Sequence, residues 1–193
     1  MNSLEHNKIV LIGASTGGPA HIEKILLALQ KPLCFTLIIA QHMGQEFLPS
    51  FVQRLSLKTN HTIELVKDGS YVEKGKVYIV TQRCSLIHRD FNLLFHVESK
   101  HDARFNPEID YLFHSATIIK KTADLLAIIL TGIGDDGVDG CVALAKNGVQ
   151  CLGESEKTAV VYGMPARAKE KVPNIEILDL QAIITAIQKF GEC

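Results

Sequence analysis

The sequence has no surplus of charge of either sign. Its 20 lysines and arginines nearly balance 21 aspartates and glutamates, giving a formal net charge of −1. The two signs are interspersed, and nothing resembles the basic stripe that tracks a phosphate backbone, so no nucleic-acid partner is expected. Lys120-Lys121 and Lys169-Glu170-Lys171 read as solvated helix ends. There is no C-x-x-C pair. Cys34, Cys84, Cys141, Cys151 and Cys193 are odd in number and irregularly spaced, so a zinc or redox motif has no support and no metal is expected. Scattered free thiols fit a reducing compartment. Long hydrophobic runs are missing too. Met1 to Lys8 is polar and the apolar stretch after it is cut at Gly13, which reads as neither a signal peptide nor a spanning helix, with no direct membrane insertion. These absences describe a soluble, cytoplasmic protein without internal repeats, low-complexity segments or long linkers.

What is present suits one domain with a sizeable core: 193 residues, of which 47% are hydrophobic. Ile9 to Ile12 is a short unbroken apolar run, the pattern of a parallel strand buried on both faces. Ile22, Ile25, Leu26 and Leu29 follow at helical spacing after Pro19, which suits a first helical position. Phe35 to Ala40 reads as a second buried strand and Phe47 to Leu57 as an amphipathic helix. Strand–helix–strand–helix opens an α/β domain with a parallel sheet. The middle differs. Ile63 to Val66, Lys76 to Val80, Ser85 to Arg89 and Leu93 to Val97 are short β-like runs between polar turns, read as an antiparallel insertion or sheet edge. His101 to Pro107 reads as a loop. The parallel pattern resumes with a helix over Ile109 to Lys120, a strand over Leu125 to Leu130 and a helix over Val138 to Lys146. A strand over Val149 to Leu152, a helix over Pro165 to Lys171, a strand over Ile175 to Leu178 and a helix over Leu180 to Phe190 complete the chain.

Gly13-Ala-Ser-Thr-Gly17 fits the G-x-S-x-G elbow, in which a strained strand-to-helix turn projects a serine hydroxyl toward a substrate. The following helix aims unpaired N–H groups and the positive end of its dipole at the same place. This stretch alone leaves three readings open: a catalytic serine, a plain turn, or a phosphate cradle.

Ligand sites of open parallel sheets lie at the carboxyl ends of the strands. Ser15 follows the first strand, His42 the second, and Asp135-Asp136 the third buried strand. Serine needs a base within hydrogen-bond reach, histidine can take and return its proton, and a buried carboxylate orients the imidazole. Bland readings stand beside these. One aspartate could simply cap the helix that begins near Gly137. A single histidine among eight is more often structural or exposed. His6, His61 and His101 lie in polar stretches and read as solvated, whereas His88, His96 and His114 lie on predicted elements. A dinucleotide site would place Asp or Glu after the second strand, where Gln41-His42 stands, and the glycines are spaced G-x-x-x-G-G. A P-loop would need a Gly-Lys-Ser/Thr step, and none follows Gly18.

Taken together, Ile12-Gly-Ala-Ser-Thr-Gly-Gly18, Gln41-His-Met43, Ile109-Asp-Tyr-Leu-Phe-His-Ser115, Ile129-Leu-Thr-Gly-Ile-Gly-Asp-Asp-Gly137 and Val160-Val-Tyr-Gly-Met-Pro165 resemble the chemotaxis receptor methylesterases, the CheB family. They run in the family's order from about Lys8 to the end of the chain. The resemblance implies an α/β fold: a three-layer αβα domain, doubly wound around a mostly parallel sheet, with an antiparallel hairpin insertion. It also implies hydrolysis of glutamyl methyl esters on chemoreceptors, with receptor glutamine deamidation in some members, by a Ser-His-Asp triad without a cofactor or metal. Carried over by position, Ser15 matches the nucleophile, His42 the base and Asp136 the third member, with Asp135 second. Thr16 matches an active-site threonine. The backbone N–H groups of Thr16 and Ile133 are the oxyanion-hole candidates, with Gly134 beside them. Met164 opens a substrate-side helix on which Arg167 is a candidate receptor contact. The expected partner is the methylated cytoplasmic helix of a chemoreceptor, met by a monomer through a shallow cleft.

Two departures stand out. Ile133 occupies a position where the family usually has methionine, and Val80-Thr-Gln-Arg83 replaces a loop that in relatives reads roughly Ala-Pro-Gly. Typical members also carry an N-terminal receiver domain. This chain starts almost at the first strand, so residues 1–193 are expected to form a single catalytic domain, either excised or standing alone. Two other function classes remain: a catalytically silent receptor-docking module, and a nucleotide- or phosphate-binding α/β domain.

Overall fold

The computed structural model describes residues 7–98 and 105–192. In chain order the elements are β1 (Asn7–Ala14), α1 (Gly18–Ala28), β2 (Thr36–Gln41), α2 (Leu48–Thr59), β3 (Ile63–Leu65), β4 (Val77–Ile79), β5 (Arg83–Arg89) and β6 (Asn92–Glu98). They continue with α3 (Ile109–Ala116), β7 (Ala123–Ile129), α4 (Val138–Lys146), β8 (Gln150–Glu154), α5 (Met164–Lys171), β9 (Glu176–Leu178) and α6 (Leu180–Phe190).

Seven strands form one sheet in the order β3-β4-β2-β1-β7-β8-β9, and every pair is parallel. The chain leaves β1 toward β2 on one side and returns to β7 on the other, so the winding reverses beside β1. A crevice opens at the carboxyl ends of the strands at such a point.

Two apolar cores sandwich this sheet. Alternate residues of β1 separate them: Val10 and Ile12 pack with α1, α2 and α6, while Ile9 and Leu11 pack with α3, α4, α5 and the β5–β6 hairpin. This is the three-layer αβα arrangement. α6 shows why a helix forms here. Asp179 caps its first turn, accepting from Ala182 N at 2.8 Å, and Leu180, Ile183, Ile184 and Ile187 are its buried stripe. Each such side chain contributes about 1.5–3 kcal/mol when fully buried.

The structure corrects several sequence expectations. β5 and β6 do form an antiparallel hairpin. β3 and β4, read with them as an antiparallel insertion or sheet edge, do lie at one edge of the main sheet, but they pair in parallel and not antiparallel. A short apolar run carries no record of its partner's direction, which is set by where the chain re-enters. The helix expected to reach Lys120 stops at Ala116 and tightens into a 3₁₀ turn over Thr117–Ile119. His61 is buried, not solvated, with Nε2 3.0 Å from Leu26 O. Cys84, Cys141 and Cys151 are buried free thiols, but Cys34 is disulfide-bonded. The reading of His6, of His101 and of the loop before Phe105 lies outside the described residues.

Candidate active site

The parallel register places the first site residues. Ala14 pairs with Gln41 as the last step of the β1–β2 ladder, so Ser15 and His42 are the next residues on adjacent strands. His42 N donates to Ala14 O at 2.9 Å, extending the ladder by one bond. Gln41 is buried and ties the two strand ends together: its Nε2 donates to Ser15 O and to His42 O, both at 2.9 Å. On the other side, Ser15 N donates to Thr131 O at 3.0 Å.

The elbow turns at Gly17, whose φ of 86° is a left-handed value that glycine adopts without steric cost. α1 starts there. Gly132 packs closely against the serine. A Cβ on it would lie 2.7 Å from Ser15 Cβ and would also collide with Met164 Sδ. Met164 is fully buried, and its N–H donates to Gly132 O at 2.9 Å.

His42 Nε2 lies 2.7 Å from Asp136 Oδ2, and the two side chains are 13% and 2% exposed. Asp136 does not cap the helix it precedes: the N-cap position of α4 is Gly137, which has no side chain to offer. It reaches instead to the start of α3, where Oδ2 accepts from Ile109 N at 2.8 Å and Oδ1 from Asp110 N at 2.9 Å. Both oxygens are occupied, at a helix end that favours negative charge. Asp135 is exposed, and its carbonyl accepts from Val138 N. Of the adjacent aspartates, only Asp136 meets the histidine.

The triad candidates are therefore brought to one end of the sheet, but they are not all bonded. Among the described residues no hydrogen bond joins Ser15 Oγ to His42. With Nε2 turned to Asp136, Nδ1 is the ring nitrogen left for a proton from serine. Thr16, exposed, has its carbonyl held by Thr131 Oγ1 at 2.8 Å. The N–H groups of Thr16, Ile133 and Gly134 have no acceptor among the described residues. Ile133 is 62% exposed. Arg167 is exposed and pairs with Glu170 at 2.9 Å, without a bond to the triad candidates.

Sequence reasoning missed Phe105, whose ring stacks on His42 at 5.0 Å between centroids and 5° between planes. It sits in the stretch read as an undistinguished polar loop, and no spacing signals it. Asp110 stands in the 109–115 motif with no role that the sequence signals. Its Oδ1 accepts from Gly140 N at 2.7 Å, and burial, with the Asp136 and Asp139 charges adding, pushes its carboxyl up to about 6. Among the described residues, no group of three or more His, Cys, Asp or Glu side chains could hold a metal ion.

Known proteins share this sequence pattern and this fold. The family model described as CheB methylesterase matches residues 10–187. A protein from Carboxydothermus hydrogenoformans named protein-glutamate methylesterase/protein-glutamine glutaminase 2 is 33% identical over 185 residues, covering 93% of this chain and 52% of that protein. Its Bacillus subtilis counterpart, protein-glutamate methylesterase/protein-glutamine glutaminase, is 35% identical over 194 residues, covering 94% and 53%. The chain thus spans about half the length of the curated relatives it matches. The crystal structure of the Thermotoga maritima CheB methylesterase catalytic domain superposes with a TM-score of 0.86 at 29% identity, covering 95% of this chain and 98% of that one. With the family model running through nearly every element from β1 to α6, the chain belongs to the CheB methylesterase family.

Proposed function

We propose that this chain hydrolyses glutamyl methyl esters on the cytoplasmic helices of methylated chemoreceptors, and deamidates receptor glutamines at the same site, by a Ser15-His42-Asp136 mechanism. The observation that carries this reading is the 2.7 Å His42–Asp136 contact, with both Asp136 oxygens held by the start of α3. A carboxylate so held fixes the imidazole with Nε2–H toward Asp136, so that Nδ1 accepts a proton.

In the first step His42 Nδ1 removes the Ser15 proton as Oγ attacks the ester carbonyl. The oxyanion is met by the N–H groups of Thr16 and Ile133, with Gly134 allowing the turn beyond. A donor of this kind is worth about 3 kcal/mol of barrier. Collapse expels methanol (or ammonia, from glutamine), which takes its proton from His42. Water, deprotonated by the same nitrogen, then releases the glutamate and restores Ser15. Met164 packs beneath the serine, and Arg167 on α5 offers a positive charge to the receptor. No cofactor or metal takes part in this mechanism. In this reading the enzyme acts as a cytoplasmic monomer. No helix among the described residues is long and apolar enough to cross a membrane.

The test is methanol release from methylated chemoreceptor by the protein and by its Ser15→Ala variant. Release that disappears in the variant is expected. Release that persists unchanged would remove Ser15 from the mechanism.

A further inference from the structure

A buried histidine–carboxylate pair that the proposed mechanism does not use lies directly behind the serine loop. Glu154, the last residue of β8, is fully buried. His21 of α1 faces it, with Nδ1 3.2 Å from each carboxylate oxygen. Two further donors complete the carboxylate: Thr131 N at 2.9 Å to Oε2, and Thr158 Oγ1 at 2.9 Å to Oε1. A buried carboxylate costs several kcal/mol unless it is paired and hydrogen-bonded, and here each oxygen has its own donor besides the shared imidazole.

Thr131 then grips the elbow on both sides of the nucleophile. Its carbonyl accepts from Ser15 N at 3.0 Å, and its hydroxyl donates to Thr16 O at 2.8 Å. That hydroxyl also accepts from Val161 N at 2.9 Å, tying in the segment before α5. The peptide between these two grips is Ser15–Thr16, whose N–H is the proposed oxyanion donor. A tilt of Thr131 therefore moves the nucleophile and that donor together.

We infer that the His21–Glu154 pair is a positioning device, in which Glu154 holds the Thr131 backbone and Thr131 holds the Ser15–Thr16 peptide in its reactive orientation. The inference rests on the proposed role of Ser15. Neither His21 nor Glu154 touches substrate. Their effect belongs on kcat, because they set the geometry of the reacting groups and not the receptor-binding surface.

The test uses two double variants, because removing His21 alone would strip the buried Glu154 carboxylate of one of its partners. His21→Ala/Glu154→Leu removes the imidazole, the carboxylate and the acceptor for Thr131 N. His21→Ala/Glu154→Gln removes the imidazole and the carboxylate but keeps a carbonyl oxygen at that position. Ester hydrolysis is measured as kcat and KM, and hydrogen exchange is followed at the Ser15 amide. For the Leu variant, folded by circular dichroism, the expected result is kcat lower by about 100-fold with KM nearly unchanged, the size of effect a small misplacement of reacting groups produces. Ser15 amide exchange rises in parallel, and the Gln variant recovers both. If the Leu variant does not fold, Thr131→Val, which deletes only the hydroxyl grip, must show the same kcat-selective loss. A folded variant with unchanged exchange, or with raised exchange and unchanged kcat, overturns the inference. An inactive parent protein would overturn the esterase reading alone, and the exchange measurement would still decide whether the pair holds the loop.

Discussion

Asp136 accepts the N–H of Ile109 at 2.8 Å, across 27 residues of sequence, and makes no bond to the first turn of the helix it precedes. One carboxylate thereby joins the start of α3 to the His42 ring. Asp136→Asn keeps an oxygen for one N–H but loses the charge and the ability to hold Nε2–H. Under the proposed mechanism kcat falls by roughly 10⁴-fold, as when the orienting carboxylate of a triad is made neutral. Asp136→Ala leaves two N–H groups without their acceptor and lowers stability by about 2 kcal/mol as well. Steady-state kinetics and urea unfolding of both variants separate the two effects.

The ring of Phe105 lies parallel to His42. Its removal frees the imidazole to turn away from Asp136. Phe105→Ala is expected to reduce kcat by about 3- to 10-fold, the equivalent of about 1 kcal/mol for one stacked pair. Phe105→Tyr retains the ring face and most of the activity. Equal losses in both variants would show that the stack does not orient His42.

Gly132 has no room for a side chain. Gly132→Ala would bring a methyl group to within 2.7 Å of Ser15 Cβ and onto Met164 Sδ. Overpacking of this kind costs about 1–3 kcal/mol, and here the displacement falls on the serine. Esterase activity is expected to fall far more than thermal stability. A variant with full activity would show that the Ser15 position tolerates displacement.

Asp110 gives a pH signature. Its folded-state value of about 6 lies above the ordinary 3.8, so the folded protein binds more protons than the unfolded chain between these values. Its contribution to stability is present below pH 4 and is lost as pH rises toward and through 6. Asp110→Asn keeps an Oδ1 acceptor for Gly140 N and cannot ionise. The variant is expected to exceed the parent in stability at pH 7–8 and to lose that advantage below pH 4. Urea midpoints at pH 4, 5, 6, 7 and 8 read this directly, and a constant difference across the series would contradict it.

Local chemistry explains what was legible beforehand. The β1 run, the glycine-bordered Ser15 turn and the helices α1, α4 and α6 follow from short-range periodicity and turn residues, and all are found close to where the pattern puts them. Ser15 and His42 were legible as strand-end residues because a parallel strand carries its register to its own end. Phe105 was not, because a lone aromatic in a polar loop has no period. Gln41 was legible as a residue but not as the tie between two strand ends, which requires β1 and β2 to be neighbours.

By itself, then, the sequence determined the α/β class, the elbow and the set of reactive residue types, since these depend on neighbours within a few positions along the chain. Short-range pattern left Asp135 and Asp136 both open, and only the family resemblance ranked Asp136 first; tertiary structure brings Asp136 to the histidine, runs β3 and β4 parallel in the main sheet, and sets Glu154 of β8 behind the loop after β1 through Thr131. Each of these depends on contacts between segments far apart in the chain, and a carboxylate finds its partner only where the packed backbone presents an unpaired N–H within hydrogen-bond reach.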